Sequence, residues 1–209
     1  MYSLKHKAII LASASKARQT LLKNAKIDFL VQRPSVDEES IKESAIAVKT
    51  TLQECAILLA EIKGQQIALS NTEAFIIASD QILEFKGIGF SKPKSLEKAK
   101  EQLNKLQGNM HVLHTSVVVF SDGKRIWHHL SSSTVTLRSL TDIEIDDYLT
   151  ETGNEALNTP GCYQIENLGC HIISSFNGSF YDILGLPLLP LLEFLRLHGL
   201  VSTEETKVS

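Results

Sequence analysis

Two long strand-like runs, residues 112–120 and 125–137, are separated only by Ser121-Asp122-Gly123 and the residue that follows. A Ser-Asp-Gly turn between β-rich runs is a hairpin signal, because the tight turns that suit twisted strands need positive φ, which Asp and Gly tolerate. A hairpin pairs its strands antiparallel. A purely parallel, doubly wound sheet is therefore excluded, and the helical patterns around the hairpin predict an α/β fold with a mixed sheet and helices packed about it.

The remaining elements follow from periodicity. Residues 7–12 form a short apolar run that ends at Ser13 and Ser15, and residues 16–24 then carry Ala17, Leu21 and Leu22 at helical spacing. Residues 27–32 alternate like a second strand. Ser40 and Glu43 fit a capping box, starting a helix whose stripe runs through Val48, Leu52, Cys55, Leu59 and Ile62. Residues 75–79 are another apolar run, ending at Asp80. Gly87, Gly89 and Pro93 punctuate a hairpin-like stretch before a helix over 95–106, and Thr141 with Glu144 caps a helix reaching Glu151. Residues 153–185, rich in glycine and asparagine, predict short strands and functional loops. Pro187 opens a final helix. With no linker or repeat, residues 1–201 read as one domain and 202–209 as a disordered tail.

The formal net charge of -3 excludes a broad polyanion-binding surface, so any grip on phosphate must come from a local cluster of donors. The 3 cysteines, Cys55, Cys162 and Cys170, lack metal-site spacing and read as buried free thiols in a reducing compartment. The first apolar run is too short for a membrane span and leads into a polar Ser-Lys-Ala-Arg segment unlike a signal peptide, so a cytoplasmic protein is expected.

Four places carry potential chemistry. Ser13, Ser15 and Arg18 lie at a helix start, where backbone N–H groups and the helix dipole favour anions, although an ordinary serine cap with a solvated arginine reads the same locally. Asp37, Glu38 and Glu39 are carboxylates suited to magnesium, or simply a solvated acidic loop. Asp80, closing an apolar run, is predicted at the carboxyl edge of a buried strand, where a charge needs a partner or a metal; Gln81 beside it can both donate to and accept from a base edge. Lys92 follows a glycine-rich bend and suits a phosphate chain. His111 with His114, and His128 with His129, fall on opposite strand faces and cannot share a metal.

Taken in order, these pieces resemble the Maf family of nucleotide pyrophosphatases over nearly the whole chain. The family's Leu-Ala-Ser-x-Ser-Pro-x-Arg stands as Leu11-Ala12-Ser13-Ala14-Ser15-Lys16-Ala17-Arg18, and its Val-Asp-Glu as Val36-Asp37-Glu38. The strand-ending Asp lies in Ala78-Ser79-Asp80-Gln81, Gly-Lys-Pro is Ser91-Lys92-Pro93, and Gly-x-x-His-x-Val-x-Thr-Gly spans Gly108 to Ser116. The stretch from Gly178 to Leu188 follows the family closely.

The resemblance implies an elongated mixed β-sheet with flanking helices and two lobes around a cleft, a divalent metal cofactor (Mg or Mn), a nucleoside triphosphate substrate and a homodimer, with no nucleic-acid polymer or membrane as partner. It makes Asp80 the proton acceptor for the attacking water, Ser13, Ser15, Arg18 and Lys92 phosphate-binding residues, and Glu38 with Asp80 the metal ligands. Ala17, Gln81 and Glu166 fall where base preference is set. Ser79-Asp80-Gln81 with Glu166 is similar to the subgroup acting on 7-methyl-GTP, whose aromatic residue is here Ala17; a pyrimidine (dTTP/UTP) or inosine preference is the alternative. The family's Arg-Leu-Ala-x-x-Lys-Ala, set on residues 51–56, puts Cys55 at the lysine, and Thr159-Pro160-Gly161 replaces Lys-Ala-Gly. A missing cation would slow the enzyme, or leave a nucleotide-binding regulator of cell division.

Overall fold

A computed structural model describes residues 7–201. The tail expected over 202–209 lies outside the described residues. In chain order the elements are β1 (Ala8–Ala12), α1 (Lys16–Asn24), β2 (Leu30–Gln32), α2 (Glu38–Ala47), α3 (Leu52–Ala68), β3 (Ala74–Phe85), β4 (Ile88–Phe90), α4 (Leu96–Leu106), β5 (Met110–Ser121), β6 (Lys124–Leu137), α5 (Asp142–Thr152), β7 (Ile173–Asn177), α6 (Phe180–Ile183) and α7 (Leu188–Leu197), with 3-10 turns at Gly153–Asn158 and Leu168–His171.

The seven strands form one mixed sheet in the order β2-β1-β3-β5-β6-β7, with β4 added to β3. β1 lies parallel to β2 and β3, and every other pairing is antiparallel. Both hairpin turns place two consecutive residues at positive φ, Lys86-Gly87 and Asp122-Gly123, as twisted two-residue turns demand.

Strand alternation divides the sheet into two faces. On one, Ile10, Ile76, Ala78, Val118 and Phe120 pack against Ala60 and Ile67 of α3, and Ile82 packs against Cys55, Ala56 and Leu59. The opposite face carries two separate apolar clusters. Ile9, Leu11, Ile77 and Val119 pack under α1 and α7, whereas Leu83, Leu113, Val135 and Leu137 pack under α4 and α5. Between them runs a polar seam of Ser79, Gln81 and Thr115, the junction of the two lobes.

Several sequence expectations change. The single helix expected from Ser40 to Ile62 is two helices. The chain turns at Lys49, at φ 59°, and Val48 is 75% exposed. The capping box lies instead at Thr51 and Glu54 on α3, while Ser40 N donates to Asp37 Oδ1 at 3.2 Å. Residues 27–29 stay outside β2. Asp80 does not end its strand, since β3 runs five residues further. Pro187 sits just ahead of α7. Cys55 and Cys162 are buried free thiols, but Cys170 is exposed.

Candidate active site

The site is built at a gap in the sheet. β1 pairs with β3 through Ile77, and β4 joins the same edge only from Leu83. Residues 78–82 therefore present backbone on that edge with no neighbouring strand. The other edge of β3 is paired throughout this stretch with β5, where Asp80 lies opposite Ser116. The gap sits where the parallel strand β1 ends and turns into α1, the kind of strand end at which α/β sheets place ligands.

α1 starts here because Ser15 caps it, accepting from Arg18 N at 3.4 Å. The cap sends the Arg18 side chain back to the gap. Its Nη1 donates to Ser79 O at 2.6 Å and to Ser13 Oγ at 3.2 Å, and its Nε donates to Gly185 O at 2.8 Å. Burial pulls the guanidinium below its usual pKa, opposed by Asp80 and Glu38. Ser13 is buried, its hydroxyl also accepting from Ser15 N at 3.2 Å, while Ala17 is half-buried on the same helix.

Asp80 faces α3. Its Oδ1 meets the ammonium of Lys63, which also binds Glu38 Oε1 at 2.7 Å from the start of α2. Burial would raise the Glu38 carboxyl, but Lys63, Lys92 and Lys42 hold it below its usual pKa. Lys92, just beyond β4, completes the cluster. Burial lowers its pKa, with Arg18 and Lys63 adding to the fall while Glu38 and Asp80 oppose it. Three cations and two carboxylates thus surround one gap and leave it net positive, as an anionic substrate requires.

Lys63 is the residue that the sequence pattern did not single out. Cys55, set at the family's lysine, is 3% exposed in the apolar cluster of α3 and takes no part in the site. The pattern Leu-Ala-x-x-Lys is met eight residues later, by Leu59-Ala60-Glu61-Ile62-Lys63, with Gly64 in place of the following alanine. Burial pointed there too, because after Leu59 the inner stripe of α3 continues through Lys63 and Gly64 and leaves Ile62 partly exposed.

The residues expected to set base preference are not gathered together. Gln81 points to the face opposite Asp80, where its amide nitrogen lies 2.9 Å from both Thr115 Oγ1 and Asp182 O. Glu166 is exposed and lines an open hollow of about 570 Å³ with Glu155, Asn167, Leu168, Cys170 and His171. Thr159 closes the loop leading to it by donating to Tyr163 O at 2.9 Å. His111 bonds Tyr163, and His114 bonds Glu84 and Ser132.

A divalent cation fits the donors present. Glu38 and Asp80 converge from two elements, and each keeps one oxygen, Oε2 and Oδ2, that the Lys63 ammonium does not hold among the described contacts. Two hard oxygen donors, with phosphate oxygens completing the shell, suit magnesium. Among the described residues no three His, Cys, Asp or Glu side chains converge on one point, so the protein alone offers no closed metal cage. No helix among them is long and apolar enough to cross a membrane.

A family profile described as Maf-like protein matches residues 8–198. The chain is 42% identical over 193 residues to a nucleoside triphosphate pyrophosphatase of Rhodospirillum rubrum, covering 92% of this chain and 96% of that protein. It is 39% identical over 196 residues to a nucleoside triphosphate pyrophosphatase of Hyphomonas neptunium, covering 94% and 98%. A 7-methyl-GTP pyrophosphatase of Rhizobium meliloti is 35% identical over 193 residues, covering 92% and 97%.

Proposed function

The chain belongs to the Maf family, and on that premise we propose that it is a nucleoside triphosphate pyrophosphatase, cleaving its substrate to a monophosphate and pyrophosphate. The observation that carries this reading is the meeting of Arg18, Lys63 and Lys92 with Asp80 and Glu38 at one gap in the sheet. A binding module would need the cations, but not two carboxylates drawn into a phosphate site.

In this mechanism Ser13, Ser15, the N-terminus of α1, Arg18 and Lys92 hold the phosphate chain. The first three form the anion site of a helix start, and Lys92 closes it from beyond β4. A divalent cation held by Glu38 and Asp80 would neutralise phosphate charge and ease deprotonation of water. Asp80 takes the proton of the water that attacks the α-phosphorus; its Oδ2 makes no hydrogen bond among the described contacts, since Lys63 meets Oδ1. Lys63 orients that carboxylate.

For the base, 7-methyl-GTP is the preferred reading. Glu166 and Glu155 together line one hollow, and paired carboxylates suit a cationic methylated ring and its N–H donors. The case for a regulator without catalysis rests on the lysines missing at Cys55 and Thr159; Lys63 supplies the first of these cations, and Thr159 holds its own loop through Tyr163 O. We further take the chain to act on free nucleotides in the cytoplasm, as one domain over residues 1–201 and as a homodimer. The edge of β6 over residues 124–130, which β7 leaves uncovered, is a surface on which copies can pair.

The deciding experiment measures pyrophosphate release from 7-methyl-GTP, GTP, dTTP, UTP and inosine triphosphate with magnesium or manganese. The native chain and Asp80→Asn are compared. Preferential turnover of 7-methyl-GTP, lost in Asp80→Asn, is expected. No release from any nucleotide would sink the enzymatic reading, and a preference for dTTP or UTP would sink only the base assignment.

A further inference from the structure

The segment joining β7 to α7 crosses the polar seam between the two apolar clusters, and side chains from the sheet hold it by its carbonyl oxygens. Gln81 Nε2 lies 2.9 Å from Asp182 O and 3.1 Å from Ile183 O, and Thr115 Oγ1 donates to Asp182 O at 2.9 Å. Gly185 N closes the turn by donating to Asp182 O at 2.9 Å. Gly185 O then accepts from Arg18 Nε at 2.8 Å and lies 2.8 Å from Ser79 Oγ. Gly185 holds φ +96°, a conformation natural to glycine, and a Cβ there would stand 3.5 Å from the guanidinium.

This arrangement bears on what Gln81 does. A side-chain amide carries two N–H donors. Three acceptors already share them, namely Thr115 Oγ1, Asp182 O and Ile183 O. Only Oε1 is left for a ligand, and it lies on the sheet face opposite Asp80. By contrast, the path from Gln81 to Arg18 is short and continuous. It runs from the carbonyls of 182 and 183 through one turn to Gly185 O and Arg18 Nε. With Nη1 taken by Ser79 O and Ser13 Oγ, Nη2 is the nitrogen of Arg18 with no partner among the described contacts. Its aim depends on where Gly185 O is held.

We propose that Gln81 is a positioning residue for the phosphate grip of Arg18, acting through the segment 182–185. The inference rests on the reading of Arg18 as a phosphate ligand. It makes the lobe junction and the phosphate site one mechanical unit, because the segment that Gln81 holds also connects the two apolar clusters.

The test uses a ligand without a base. Inorganic tripolyphosphate is titrated calorimetrically, with magnesium, into the native chain, Gln81→Leu, Ser79→Ala, Arg18→Lys and the double variant Gln81→Leu/Arg18→Lys. Gln81→Leu is expected to weaken tripolyphosphate binding about tenfold. Ser79→Ala, which loosens the same carbonyl, moves in the same direction and serves should Gln81→Leu fold poorly. The double variant is expected to bind scarcely worse than Arg18→Lys, because residues acting in one chain are not additive. Unchanged tripolyphosphate affinity in Gln81→Leu and Ser79→Ala, or losses that add in the double variant, would overturn the proposal while leaving the enzymatic reading intact. Failure of the native chain to bind tripolyphosphate at all would remove the phosphate role of Arg18, and this proposal with it.

Discussion

The ammonium of Lys63 on α3 binds the carboxylates of Glu38 and Asp80 together, and so ties α2 and β3 to one helix. Lys63 is 9% exposed and Asp80 5%. A lysine so placed is the counter-ion that the buried carboxylate of Asp80 requires, since removing it strands that charge, while Glu38, partly exposed, meets it from the solvent side. Lys63→Met is expected to cost about 3 kcal/mol in urea unfolding and to reduce pyrophosphate release about a hundredfold or more. Adding Asp80→Asn to Lys63→Met should recover part of that stability but none of the activity. Near-native turnover in Lys63→Met would show that the ion pair serves structure alone.

Cys55 gives the contrasting expectation. It lies among Ala56, Leu59 and Ile82, and burial raises its thiol pKa, so it remains a neutral apolar filler. Cys55→Ala is expected to leave kcat/KM within about twofold and to lower stability by about 1 kcal/mol. A large fall in turnover without a fall in stability would return this position to the chemistry.

Why Lys63 escaped the sequence pattern, and Asp80 was placed at a strand end, has one physical cause. Apolar periodicity reports burial only when buried residues are apolar. Ser79-Asp80-Gln81 breaks the run of β3, yet the strand continues because each side chain finds a partner: Ser116 O for Ser79, Lys63 for Asp80, Thr115 for Gln81. Lys63 is buried by the same pairing. Where local chemistry alone sets the structure, the sequence was enough. The box at Thr141 and Glu144 and the Asp122-Gly123 turn form as their residues dictate. The Thr51 and Glu54 box was just as legible, but Val48 fell in register with the helix stripe and hid the break before it. Candidate-site residues such as Arg18 and Lys92, separated by tens of positions, become legible only through the family's order of motifs.

Gly64 makes the contact between α3 and the sheet possible. A Cβ there would come within 2.7 Å of the Phe120 ring and 3.2 Å of Ala78 Cβ. Alanine favours the helix by about 1 kcal/mol, but overpacking here is expected to cost about 1–3 kcal/mol, and the lysine beside it would be displaced. Gly64→Ala should therefore lower activity with little or no gain in stability. Gly64→Ala/Phe120→Leu should recover activity relative to Gly64→Ala, which kinetics on both proteins would show. Native activity in Gly64→Ala would mean that the helix shifts without moving Lys63.

The acid limit of stability offers a separate test, in the other lobe. His111 is 1% exposed, its Nε2 lies 2.6 Å from Tyr163 Oη, and Nδ1 has no partner among the described residues. Burial lowers its pKa from 6.5 to about 4. The neighbouring Tyr163 and Cys162 are both raised by burial, the thiol to about 12, so neither can offset a charge on the ring in this range. Between pH 6.5 and about 4 the unfolded chain binds a proton at this histidine and the folded chain does not. Stability contributed at neutral pH is therefore lost as the pH falls through that window, by about 3 kcal/mol in total, with no further change from this group below it. His111→Gln has no such proton to bind. Its unfolding free energy, measured in urea from pH 7 to pH 4, should fall less steeply than that of the native chain. Parallel curves for the two proteins would assign the acid sensitivity to other groups and leave His111 with its hydrogen bond alone.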